Sequence, residues 1–183
     1  MAILKVLGID PSMNNFGYAF ATYDTTTQEL KLAAVKLVSP KKESKKKSVR
    51  QNSFDLDHCK AHFSELLSYS SSADIVCVEI PVGSQTARAM ASYGMCIGLL
   101  ASVSKPMVQV TPTEVKLAAV GIKTATKAQM IEWATTKYPQ LGWLKTQDKN
   151  GERFLEKNEH LADAIAVLEA SLKTDNFKLL TLK

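Results

Sequence analysis

Cysteine, glycine-rich loops and long apolar runs are all scarce in this chain, and each scarcity removes a class of explanation. The three cysteines, Cys59, Cys77 and Cys96, are scattered, and no pair has zinc-ligand or redox-motif spacing. An odd number without a framework points to a reducing compartment rather than a disulfide scaffold. The longest apolar stretch, around Met95–Val103, is far too short to span a bilayer, so no membrane partner is expected. The N-terminus runs directly into strand-like sequence without a signal-peptide layout, which reads as cytoplasmic. No Walker-type glycine loop is present, so a small-molecule phosphotransferase lacks its usual phosphate cradle.

What is present is an ordinary globular composition. The 183 residues are 45% hydrophobic and 22% charged, enough for one domain over 1–183 with a real core and no sign of a second one. The formal charge of +5 favours a polyanionic partner only weakly. The marked composition shift is "SPKKESKKKSVRQNS" at 39–53, which reads as a solvated loop or as a flexible basic arm near a phosphate backbone. In the second reading Lys45, Lys46 and Lys47 are DNA contacts.

Apolar periodicity predicts strands over Ile3–Ile9, Phe16–Tyr23 and Leu30–Val38, joined by turns as an antiparallel meander. A helix is expected over Asp55–Leu67, with Phe54, Leu56, Phe63, Leu66 and Leu67 toward the core. Residues 73–81 form a short central strand, 84–104 a long helix rich in small residues, and 107–110 a very short strand. Thr111, Pro112, Glu114 and Gly121 mark both ends of a helix over 111–121. Further helices follow at 126–138 and 158–172, the last with Asn158 as its cap, and 140–157 reads as polar and irregular. The order βββαβαβααα is an α/β domain with a mixed five-stranded sheet flanked by helices.

Two core strands end on acids. Asp10 closes the first apolar run and Glu79 closes "VCVE". A carboxylate there is costly unless paired, and ligand chemistry in α/β sheets gathers at strand ends. In the last helix His160 and Asp163 are three apart and share a face beside the stripe Leu161, Ile165, Leu168 and Leu172. That spacing aims them at the rim of the core, with Glu159 in reserve. Taken singly, Asp10 also reads as a turn-former and His160 as a rim histidine. Taken together, the acids would repel one another, and a divalent cation coordinating them removes the conflict.

"GIDPSMNNFGYAF", "VCVEIP", "VKLAAVGIKTATKAQM" and "HLADAIAVLEA", in this order, resemble the RuvC family of Holliday junction resolvases within the RNase H-like superfamily. The resemblance spans residues ~3 to ~172. It implies an RNase H-like fold and a metal-dependent endodeoxyribonuclease, with Asp10, Glu79, His160 and Asp163 as catalytic metal ligands. It also implies two Mg²⁺ per site, a homodimer and a four-way DNA junction as partner, in a bacterial cell or a phage-infected host. Lys116 and Lys127 match the family's lysines, and Arg88 is a further candidate phosphate contact. With His160 in the ligand set, Mn²⁺ is expected to serve at least as well as Mg²⁺. The resemblance also implies a two-fold interface on the small-residue helix, through Ala87, Ala91, Gly94, Gly98 and Ala101. One departure matters: the family's aromatic three residues after the catalytic Glu is Val82 here, and Val cannot stack on a base. A less specific branched-DNA endonuclease acting on forks or flaps, and a nuclease-dead DNA-binding module, are therefore the competing readings.

Overall fold

Strand alternation decides which side chains share a face. On β1 (Ile3–Asp10), Leu7 and Ile9 point one way, while Val6, Gly8 and Asp10 point the other. A computed structural model describes residues 2–40, 50–149 and 151–182, and the first strand pairs there with β2 (Phe16–Asp24), which pairs in turn with β3 (Glu29–Val38), both antiparallel. On its other edge β1 runs parallel to β4 (Ile75–Glu79), and β4 parallel to β5 (Met107–Val110). The sheet order is β3-β2-β1-β4-β5. This is the mixed five-stranded α/β sheet that the sequence predicts.

Helices α1 (Gln51–Ser71) and α2 (Ala87–Ala101) cover one face, where Leu66, Cys96, Leu99 and Leu100 meet Leu7, Ile9, Tyr18, Val76 and Val78. The opposite face carries α3 (Pro112–Ala119), α4 (Lys127–Lys137), α5 (Asn158–Ser171) and α6 (Asp175–Thr181). The capping box read at Thr111 and Glu114 forms, with the Thr111 hydroxyl accepting from the Glu114 amide. Thr126 and Gln129 build a second one on α4.

Helix α5 is the central element of its layer. Leu161, Ile165 and Leu168 are buried as predicted, and Ala162, Ala164 and Ala166 are buried too. It approaches the sheet closely because two strand residues have no side chain. A Cβ on Gly8 would overlap the Ala164 carbonyl, and one on Gly17 would overlap the His160 carbonyl. Gly17 lies opposite Asp10 in the β1–β2 ladder, so this close approach falls beside the strand-end acid.

Several expectations are corrected. Helix α1 extends beyond 55–67 at both ends, and its buried stripe is Asp55, His58, His62, Leu66 and Ser70. Of the expected core residues, Leu66 is buried and Phe54 half-buried, whereas Leu56, Phe63 and Leu67 are exposed. The polar stripe can face inward because its members find partners there. Helix α2 starts only at Ala87, after Thr86 caps it. The stretch read as irregular holds a hairpin of β6 (Lys145–Asp148) and β7 (Gly151–Phe154), and α6 was not foreseen. Asn158 is not a cap: it is buried and brackets Leu144, accepting from its amide at 2.9 Å and donating to its carbonyl at 2.7 Å. Lys45, Lys46 and Lys47 lie outside the described residues.

Candidate active site

Parity and register bring the two strand-end acids together. Asp10 lies two residues beyond Gly8, and Glu79 two beyond Cys77, which is Gly8's neighbour across the parallel β1–β4 ladder. Both carboxylates therefore emerge on the α5 side, at the carboxyl ends of adjacent central strands. Helix α5 crosses above them and supplies His160 and Asp163 from one face, one turn apart.

The contacts are specific. His160 donates from Nδ1 to Asp10 Oδ2 at 2.6 Å. Its Nε2 lies 3.4 Å from Asn15 Nδ2 and 3.6 Å from Glu159 Oε1. With the proton on Nδ1, Nε2 accepts from the Asn15 amide, whose carbonyl in turn accepts from the Ser39 hydroxyl at 2.6 Å. Lys127, on α4, pairs with Glu159 at 2.7 Å, so it stands at the edge of the same cluster.

The electrostatics are those of too much negative charge in too little water. Burial, then the charge of Asp10, pushes the Glu79 carboxyl up to about 8, against a smaller opposing pull from Lys116 on α3. Asp163 is raised well above the ordinary carboxylate range by burial and then by Asp10 and Glu79, with His160 opposing. For His160, burial disfavours the imidazolium, yet the hydrogen bond and charge of Asp10, with Glu159 and Asp163 adding, leave its pKa raised. The three carboxylates thus lie within mutual reach, with Lys116 and His160 as their nearest compensation.

This donor set fits a hard divalent cation. It is rich in carboxylate oxygen, and the repulsion that raises Glu79 and Asp163 is what a bound cation relieves. The side chains are not drawn up as a ready cage: among the described residues no three His, Cys, Asp or Glu groups are arranged to hold an ion. Both ring nitrogens of His160 are engaged, on Asp10 and Asn15. In this arrangement it acts as the partner of Asp10, and direct ligation requires one of those bonds to open.

The structure therefore gathers Asp10, Glu79, His160, Asp163, Lys116 and Lys127. It does not gather Arg88. That guanidinium makes a bidentate pair with Asp55 at 2.6 Å per bond, tying α2 to α1 beside a cleft lined by Asn52, Leu56, Cys59, Ala91 and Met95. Val82 is 77% exposed in the loop after Glu79, free of packing duties. Sequence reasoning passed over Asn15 and Ser39, whose roles arise only when the β1–β2 loop meets α5.

No sequence family and no curated protein matches the chain. Solved structures do match in fold. The RuvC of Thermus thermophilus in complex with a Holliday junction substrate superposes with a TM-score of 0.58 at 19% identity, covering 91% of this chain and 92% of that one. The fowlpox virus resolvase with its Holliday junction DNA gives 0.57 at 18% identity, over 93% and 100%. The yeast mitochondrial Holliday junction resolvase Ydc2 gives 0.57 at 12% identity, over 96% and 81%. The chain shares the fold of these resolvase structures, as the motif resemblance implied.

Proposed function

We propose that this chain is a structure-specific endonuclease, a single RNase H-like nuclease domain that resolves four-way DNA junctions by paired, metal-dependent hydrolysis of phosphodiesters. The observation that carries this is the convergence of buried Asp10 with half-buried Glu79 and Asp163, mutually repelling, where α5 crosses adjacent strand ends of a resolvase fold. Such a cluster destabilises the protein unless it is used.

Asp10, Glu79 and Asp163 would hold Mg²⁺ or Mn²⁺, with His160 as a fourth ligand if its bond to Asp10 opens. Bound cations supply the charge that activates a water and stabilises the departing oxygen. The chain's own groups set the geometry. His160 fixes the rotamer of Asp10 through its Nδ1 proton, and Asn15 fixes the ring through Nε2. Lys116, beside Glu79, offers a positive charge to the scissile phosphate. Lys127, held by Glu159, offers one to a neighbouring phosphate. The basic stretch containing Lys45, Lys46 and Lys47 adds contacts to the DNA backbone, whereas the Arg88–Asp55 pair favours a structural role for Arg88.

A symmetric junction needs two such sites, so the protein acts as a homodimer. Helix α2 supports this: Met90 and Ile97 are 48% and 46% exposed, and a Cβ on Gly94 or Gly98 would meet nothing within 4 Å. No helix among the described residues is long and apolar enough to cross a membrane. The proposed site of action, by the motif resemblance, is the cytoplasm of a bacterial cell or phage-infected host.

Val82 favours one second reading, a branched-DNA endonuclease with looser specificity, because no aromatic is available there to stack on a junction base. The deciding experiment is cleavage of an immobile four-way junction, a fork, a flap and a linear duplex with Mg²⁺ or Mn²⁺, by wild type and Asp10→Asn. Paired symmetric nicks in the junction alone, absent in the variant, establish the resolvase. Equal cutting of all branched forms establishes the looser enzyme. Tight junction binding without cutting leaves a DNA-binding module.

A further inference from the structure

The buried stripe of α1 contains two histidines that the site chemistry leaves unused, and both end on one atom. His58 Nδ1 and His62 Nε2 each lie 3.1 Å from the carbonyl oxygen of Met13. A carbonyl has two lone pairs and can accept both N–H groups. The other ring nitrogens, His58 Nε2 and His62 Nδ1, are buried without a partner among the described residues. A buried N–H without an acceptor is costly, so the protons belong on the nitrogens that face Met13. The two rings are then neutral and of opposite tautomer, His58 carrying Nδ1–H and His62 carrying Nε2–H. Burial, the largest influence on His62, holds its pKa below the ordinary histidine value, in keeping with a neutral ring.

The rings are themselves held. Phe16 stacks on His62 at 4.2 Å between centroids, and Phe54 lies against His58 at 4.0 Å. The Arg88–Asp55 pair ties the same helix to α2, one turn before His58. Met13 is the midpoint of the loop between β1 and β2. That loop has Asp10 at its start and Asn15, the partner of His160, near its end.

We propose that His58 and His62 are positioning residues: together they clamp the Met13 carbonyl and so fix the loop that presents Asp10 and Asn15 to His160. Neither touches the reacting atoms. Their effect passes through one backbone carbonyl, which a side-chain amide of the right length can also reach. The catalytic part of this proposal rests on the nuclease reading above, while the clamp itself does not.

The test has two arms. The chain contains three histidines, so long-range ¹H–¹⁵N correlation of the imidazoles resolves His58, His62 and His160 directly in the full-length protein. The expected result at neutral pH is one Nδ1–H and one Nε2–H neutral ring for His58 and His62. Two rings of the same tautomer, or either ring without its proton on the nitrogen that faces Met13, overturn the clamp. This arm needs no activity, so it stands even if no DNA is cut.

The second arm is kinetic. Removing both donors with His58→Leu and His62→Leu is expected to lower single-turnover cleavage at least 10-fold with junction affinity unchanged. His58→Asn and His62→Gln place an amide N–H near Nδ1 and Nε2, respectively, and are expected to recover most of the rate. The exchanged pair, His58→Gln and His62→Asn, is expected not to recover it at equal melting temperature. Equal rates for matched and exchanged amides, or full activity of the leucine variants, overturn the positioning role.

Discussion

His160 reaches across 150 positions of sequence to donate a 2.6 Å hydrogen bond to Asp10. The bond joins the end of the first strand to the first turns of the fifth helix, and the remainder of the site is arranged around it. What permits it is an absence: Gly17, opposite Asp10, leaves space for the His160 backbone.

Gly17→Ala is therefore expected to be severe. The added methyl meets backbone, which cannot rotate away, and overpacking of this kind costs about 3 kcal/mol. Gly8→Ala, which meets the Ala164 carbonyl, should behave alike. Gly142→Ala, with nothing within 4 Å of the new Cβ, is the control and should melt as wild type does. Thermal denaturation of the three variants checks this, and a wild-type melting temperature for Gly17→Ala would refute the close packing of α5.

The clustered acids predict an unusual pH profile. Glu79 has a folded pKa of about 8, above its unfolded value. Below pH ~4 both states are protonated and nothing is lost. As pH rises toward 8, the unfolded state releases its proton first and the folded state is progressively destabilised. Asp163, also raised, acts in the same direction. Metal-free protein should therefore lose melting temperature between about pH 4.5 and 8. Glu79→Gln should flatten the decline, and Mg²⁺ or Mn²⁺ should restore most stability at the alkaline end. A flat profile in chelator would show that these carboxyls are not held above their ordinary range.

Neutralising Asp163 separates function from stability. Asp163→Asn removes a carboxylate held far from its preferred ionisation, so the metal-free variant should melt higher at pH 8 than wild type while cleaving no junction. Stability falling together with activity would mean that Asp163 is satisfied in a way the described contacts do not include.

Arg88 is expected to act on the fold. Arg88→Ala and Asp55→Asn should each lower stability, and their double-mutant cycle should show coupling of about 1 kcal/mol. Junction affinity and its salt dependence should stay as in wild type, since no phosphate contact is lost. A shallower salt slope in Arg88→Ala would return this residue to the DNA surface.

The α2 face and the metal preference give two further outcomes. Wild type should have a dimeric mass by light scattering at micromolar concentration, and Ile97→Glu should be monomeric; a monomeric wild type removes the proposed interface. Mn²⁺ should support cleavage at least as well as Mg²⁺, and His160→Asp should shift the preference toward Mg²⁺ because it completes an all-oxygen donor set. Robust cleavage in Mg²⁺ with none in Mn²⁺ would exclude His160 as a ligand.

Much of this protein is written locally. The strand meander follows from alternation, α3 from its capping box, and the buried stripe of α5 from its leucines, because each depends on neighbours within a few residues. The acids were legible for the same reason: Asp10 and Glu79 interrupt apolar runs, and an interrupted run is visible without knowing the fold. The facing of α1 was not legible. Its Leu56, Phe63 and Leu67 form a more apolar stripe than the buried one, in which Leu66 is the apolar member. What turns Asp55, His58 and His62 inward is a guanidinium from α2 and a carbonyl from the β1–β2 loop, and neither is adjacent in sequence. Asn158 was misread for a like reason, since its partner Leu144 lies across a hairpin. The sequence by itself determined the elements and the kinds of side chain available for chemistry. Tertiary structure alone decided which polar groups would meet, because a buried hydrogen bond depends on partners that only the packed chain brings within 3 Å of one another.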